Sequence, residues 1–131
     1  MCGQGRWETG DAKLDALVYR VIGCCITVHK ELGPGFLESI YHKALDIELA
    51  TQGIDFASEV EIELTYRKKA IGSHRLDLLV ENRLIVELKT VEALHKKHYA
   101  QVRSYLKASG KPLGLLVNFS DYQLDPRRVQ L

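Results

Sequence analysis

The chain has 131 residues, 46% hydrophobic and 27% charged, with a formal net charge of +1, the balance of a soluble globular chain one domain long. No apolar run approaches the ~20 residues of a membrane span, and Met1-Cys2-Gly3-Gln4-Gly5-Arg6 lacks the apolar region of a signal peptide, so the expected location is cytoplasmic and away from membranes. A net charge this small excludes a global field, which leaves Arg67-Lys68-Lys69, His95-Lys96-Lys97-His98 and Arg127-Arg128 as local basic clusters, each read most simply, when taken alone, as solvated surface.

Residues 1–10 are glycine-rich without a period and read as a flexible N-terminal arm, leaving 11–131 as a single domain. Asp11 can cap a helix whose apolar positions Leu14, Leu17, Val18, Val21, Cys25, Val28 and Leu32 recur at i, i+3 and i+4. Gly33-Pro34-Gly35 stops it. Three cysteines cannot all pair within one chain, and the adjacent Cys24 and Cys25 read as packing residues of a reducing compartment. A second helix is expected from near Phe36 to Thr51, with an apolar face of Leu37, Ile40, Tyr41, Ala44 and Leu45. Glu38 lies one turn from Tyr41 and His42. By local sequence alone it reads as an acid placed to favour the helix start, an effect of ~0.3–1 kcal/mol.

From Ala57 to Arg67 the series Val60, Ile62, Leu64, Tyr66 alternates with Glu59, Glu61, Glu63, Thr65, which predicts a half-exposed strand with its acids toward solvent. A second strand follows from about Ile71 to Val80 and a third from Leu84 to Lys89. A helix is then expected from about Val91 to Ser109, closed by Gly110, with Leu94, His98, Gln101 and Tyr105 on one stripe. Leu113 to Phe119 reads as a central strand buried on both faces, reached by a crossover and therefore parallel to the third. The tail after Asp121 allows an edge strand.

The stretch from His74 to Lys89 organises the rest, because its apolar runs carry charges. Leu78-Leu79-Val80 and Leu84-Ile85-Val86 flank a polar Glu81-Asn82-Arg83 break, as a hairpin requires. Alternation puts Glu87 and Lys89 on one face. If the break is a three-residue loop, Val80 opposes Leu84 and Asp77 falls opposite Glu87, their Cβ atoms roughly 4.5–5.5 Å apart. Two carboxylates so close repel, and in a half-buried site one stays protonated unless a cation neutralises the pair. Oxygen ligands favour a hard ion such as Mg²⁺ or Mn²⁺.

The order helix, helix, three antiparallel strands, helix, strand, with Asp77 on one strand and Glu87-x-Lys89 on the next, resembles the restriction-endonuclease-like core of the PD-(D/E)XK nuclease superfamily. That is an α/β fold, here with a mixed central sheet of about four strands flanked by helices. Gly35-Phe36-Leu37-Glu38-Ser39-Ile40-Tyr41 resembles the GxxExxY proteins, as do His29-Lys30-Glu31-Leu32-Gly33-Pro34, His98-Tyr99-Ala100-Gln101 with Tyr105, and Gly114-Leu115-Leu116-Val117-Asn118-Phe119.

The resemblance implies a metal-dependent nuclease acting on nucleic acid, most readily DNA. Asp77, Glu87, the Leu88 carbonyl and Glu38 would serve as metal ligands, Lys89 as the catalytic cation, and Gln101 and Tyr105 as the QxxxY element beside the site. Lys96, Lys97, His98 and Arg75 are the candidate nucleic-acid contacts. Three alternatives stay open: Lys89 as the ion-pair partner of Glu87 or Asp77, a non-catalytic nucleic-acid or protein-binding module that keeps the fold, and hydrolysis of RNA or a nucleotide-like small molecule. Analogy with other small members leaves a homodimer open, and the sequence does not fix the oligomeric state.

Overall fold

A computed structural model describes residues 8–131; most of the expected N-terminal arm, residues 1–7, lies outside the described residues. Helices α1 (Ala12–Leu32) and α2 (Glu38–Thr51) precede strands β1 (Phe56–Tyr66), β2 (Lys69–Val80) and β3 (Leu84–Lys89). Helix α3 (Lys96–Ser109) then leads to β4 (Leu113–Asn118) and β5 (Arg127–Val129). The sheet has five strands in the order β1-β2-β3-β4-β5. All neighbours are antiparallel except β3 and β4, which run parallel. The fold is α/β with a mixed sheet, and β5 is the strand added to the four read from sequence.

Two apolar layers cover the sheet. On one face Leu78, Val80, Val86, Leu88, Leu115 and Val117 pack with Leu14, Val18, Val21, Tyr41 and Leu45 of α1 and α2. On the other, Leu76, Ile85 and Leu116 meet Val102, Tyr105 and Leu106 of α3. Both faces of β3 and β4 are thereby dry, so these strands are near-continuous apolar runs. Gly114 lets α3 approach: a Cβ there would meet Val102 Cγ1 at 2.5 Å. Cys24 and Cys25 are free and buried, as packing residues should be. Among the described residues no helix is long and apolar enough to cross a membrane.

At Asp77 the long hairpin changes sides. Leu78 and Val80 enter the α1/α2 core, yet Leu76, two residues earlier, enters the α3 core; on β1, Phe56 and Val60 divide in the same way. Residues two apart in a regular strand share a face, so the backbone must turn between them. Glu59 does so with a left-handed φ of 54°, and the pairing passes from Ser58↔Leu78 to Val60↔Leu76 with no Glu59↔Asp77 step.

Helix α3 begins five residues later than its periodicity predicts. The Asn118 amide captures both polar backbone groups of Val91, accepting from its N–H at 3.1 Å and donating to its C=O at 2.8 Å. Residues 91–95 are held outside the helix by this bridge, and Leu94 packs from the loop rather than from the helical stripe.

Candidate active site

The β2–β3 turn fixes the register. Val80 pairs with Leu84 across Glu81-Asn82-Arg83, and the ladder continues through Leu79↔Ile85 to Leu78↔Val86. Counting on, Asp77 comes level with Glu87. The ladder ends there, and the Leu88 N–H donates to Asp77 Oδ2 at 2.8 Å instead of to a strand carbonyl. A residue's N–H and C=O leave a strand on the same side, so the Leu88 carbonyl is directed at the same gap. Because Ile85 lies in the α3 core and Val86 and Leu88 in the other, alternation sends Glu87 and Lys89 to the α3 face. Helix α3 meets them there: Lys89 Nζ donates to Gln101 Oε1 at 2.8 Å.

Glu87 is only 3% exposed. Burial first, and then the Asp77 carboxyl beside it, push its pKa up to about 9; Lys89 and the Tyr105 hydroxyl pull the other way without overcoming them. Burial and the Glu87 carboxyl likewise raise the Tyr105 hydroxyl. None of these neighbours satisfies Glu87 Oε1, which is buried with no hydrogen-bond partner. A buried acceptor left unpaired costs about 1–3 kcal/mol.

Glu38 approaches from α2. Tyr41, fully buried and stacked on Phe119 with ring centroids 4.7 Å apart, donates its hydroxyl to the Gly33 carbonyl and accepts the Phe36 N–H. The loop so clamped turns through Gly33 and Gly35, at φ 72° and 112°, and starts the helix at Glu38. Burial raises the Glu38 carboxyl and the Asp77 charge adds to it, while Lys89 and His42 lower it. Glu38 thus feels the acid pair and Lys89. Among the described residues, no group of three His, Cys, Asp or Glu side chains is gathered to hold a metal ion.

Of the candidate nucleic-acid contacts, Lys96 and Lys97 are exposed at the start of α3. His98 is buried instead, its Nδ1 accepting the His95 N–H at 2.9 Å. Burial and then the charges of Lys89 and Lys97 depress its pKa, so it caps the helix as a neutral ring. Arg75 is exposed on β2 across from Glu61. Sequence reasoning gave no role to His74, whose ring meets Tyr105 edge-on with centroids 4.7 Å apart. Its position two residues from Leu76, on the same face, was the available signal. Nor did it anticipate Asn118, which fixes the loop after Lys89.

The donor set suits a hard divalent cation. Two carboxyls lie side by side in a dry setting that raises one of them, Glu87 keeps one buried oxygen without a partner, and a backbone carbonyl is directed toward the same side. Asp77, Glu87 and the Leu88 carbonyl are the groups that would hold it, with Glu38 beside them.

A family model of the PD-(D/E)XK nuclease superfamily matches residues 15–129. A solved structure described as the crystal structure of SSO0001 superposes with a TM-score of 0.57 at 21% identity, covering 70% of this chain and 48% of that one. At that identity the likeness is one of fold, and this chain spans about half of that structure's length, 48%. No curated protein matches the chain.

Proposed function

This chain belongs to the PD-(D/E)XK nuclease superfamily, and from that membership and the site we propose that it hydrolyses phosphodiester bonds in DNA with Mg²⁺ or Mn²⁺ held at Asp77 and Glu87. The observation that carries the reading is the acid pair itself. Asp77 and a buried Glu87 with one orphaned oxygen share a gap beside Lys89. A bound cation would neutralise the two carboxyls, polarise a phosphate oxygen and acidify water.

The protein's own groups have separable tasks. Lys89, held by Gln101, presents a cation to the charge that grows on the phosphate during cleavage. Gln101 is a positioning residue acting through Lys89, and Tyr105 fixes Glu87. Glu38, at the helix start, would add a further carboxylate to the ligand set. Lys96 and Lys97 would meet the strand's phosphates, whereas Arg75 shares the far face of the hairpin with Glu61. Within the superfamily, Gly35-x-x-Glu38-x-x-Tyr41 supports a place among the GxxExxY proteins, and the free Cys24 and Cys25 suit a cytoplasmic setting.

A second reading, a binding module that has kept the nuclease fold, draws on the described residues gathering no group of three metal-ligating side chains. Incubation with labelled DNA and RNA, single- and double-stranded, in Mg²⁺, Mn²⁺ or EDTA decides between them. Metal-dependent cleavage is expected; retention without cleavage favours the module. Sedimentation of the same samples reads whether two copies act together.

A further inference from the structure

The outer half of the β1–β2 hairpin is not accounted for by packing. From Lys69 to Ser73 every residue of β2 is exposed, as are Thr65 and Tyr66 opposite. Tyr66 is 62% exposed and Ile71 66%. The base of this arm is tied to the site, with Val60, Ile62 and Leu76 in the α3 core and His74 against Tyr105. Its tip is a two-residue turn of Arg67 and Lys68, closed by the Tyr66↔Lys69 pair.

We propose that this arm binds a nucleic-acid backbone running out from the Asp77–Glu87 site, an inference that rests on the nuclease reading above. Two observations carry it. The first is the turn. Arg67 and Lys68 both adopt left-handed φ, 50° and 68°, the geometry of a hairpin turn that prefers Asn-Gly. Two long cations therefore occupy positions where local preference opposes them, and such breaches of local rules concentrate at functional positions.

The second is the division of charge between the two faces. Along β1, Val60, Ile62, Leu64 and Tyr66 share the face that meets α3, and Gly72 and His74 stand opposite Leu64 and Ile62. Ile71 is the extra residue where the register shifts, which returns Lys69 to that face opposite Tyr66. The site-side surface of the arm is thus Leu64, Tyr66, Lys69, Gly72 and His74, without an acid. Glu61 and Glu63 point to the back, across from Arg75 and Ser73. Above Gly72 there is open space, since a Cβ would meet nothing within 4 Å. An exposed aromatic beside a run of cations, with Arg67 over the Tyr66 ring at 5.6 Å, fits a phosphate backbone and the faces of its bases. A strand rises ~3.3 Å per residue. Lys69 is therefore about 26 Å of strand from Asp77, the length of roughly seven or eight nucleotides at ~3.4 Å each.

The test uses Arg67→Asn/Lys68→Gly, which removes two charges while giving the turn the residues it prefers, so lost binding cannot come from a broken hairpin. Affinity for a fluorescent 30-base-pair DNA is measured by anisotropy in EDTA across a salt series, with Lys13→Gln at the far end of α1 as the charge control. The variant is expected to melt at or above the wild-type temperature. Its slope of log affinity against log salt should be shallower by about 1.8, at ~0.9 per lost phosphate contact, with the control unchanged. A wild type that binds and a variant with the same slope and affinity overturn the arm and leave the nuclease reading standing. A variant that dissociates a dimer without altering DNA affinity also overturns it, assigning the arm to a second copy. A wild type that binds no DNA at any salt overturns the arm, while the nuclease reading is judged by the cleavage assay with metal.

Discussion

The Leu88 N–H donates to Asp77 Oδ2 at 2.8 Å, so Asp77 replaces a strand carbonyl at the point where β2 and β3 part. The carboxylate has a structural task besides any chemistry. Asp77→Ala orphans the amide and should destabilise the protein by about 1–3 kcal/mol. Asp77→Asn keeps an acceptor and should melt closer to wild type, measured by thermal denaturation in EDTA.

Glu87 is held protonated at neutral pH by burial and by Asp77, its pKa raised to about 9. For an acid raised in the folded state, stability is full below the unfolded value, 4.5, and declines as pH rises toward 9. Metal-free Glu87→Gln should therefore lose less stability than wild type between pH 6 and pH 9 in calorimetric scans. The same variant should abolish the rise in Tm that millimolar Mg²⁺ or Mn²⁺ gives the wild type. A retained rise in Glu87→Gln would place the metal elsewhere.

Lys89 and Gln101 differ in task. Lys89→Ala should leave metal binding nearly intact and lower the cleavage rate by ~10²-fold or more. Gln101→Ala should lower kcat less, because the ammonium remains and only its orientation is loosened. If Lys89 were chiefly an ion-pair partner, its loss would cost as much as ~3–5 kcal/mol of stability instead. Single-turnover rates with melting curves for both variants separate the cases.

Gly114 marks the closest approach of α3 to the sheet, and a methyl there would meet Val102 Cγ1 at 2.5 Å. Valine is short and stiff at χ1, so it cannot swing away. Gly114→Ala should cost about 1–3 kcal/mol and disturb Gln101, the neighbour of Val102. Adding Val102→Ala should recover part of the activity lost.

Asp15 joins α1 to β5. Burial tends to raise its carboxyl, but the Thr9 amide and hydroxyl and Arg128 at 3.2 Å outweigh it and hold the pKa below the usual 3.8. A depressed acid stabilises above its unfolded pKa and loses that contribution as pH falls through the folded one. Acid unfolding of Asp15→Asn should accordingly be less steep below about pH 4 than that of wild type, followed by circular dichroism.

Much of the site follows from spacing. The three-residue break after Val80 fixes its pairing with Leu84, and alternation then carries Glu87 and Lys89 to one face. Longer-range effects are not legible locally. Leu76 and Leu78 look equivalent in a strand pattern, yet they enter different cores, level with the left-handed Glu59 on the neighbouring strand. Val91 continues a helical period until Asn118, 27 residues on, takes both its backbone groups. His98 reads as a basic contact, and only the placing of His95 makes it a buried cap. The three-residue β5 carries too short a pattern to announce itself, and its Arg128 is held by Asp15 from the other end of the chain.

The most direct test is cleavage of one labelled DNA by wild type and Asp77→Asn side by side, in Mn²⁺ and in EDTA, with melting curves showing both proteins folded. Wild type should cut only with metal, and Asp77→Asn should fall by ~10²-fold or more, as loss of a charged metal ligand implies. Cutting that persists in EDTA, or that is undiminished in folded Asp77→Asn, would contradict a metal-dependent site at Asp77 and Glu87.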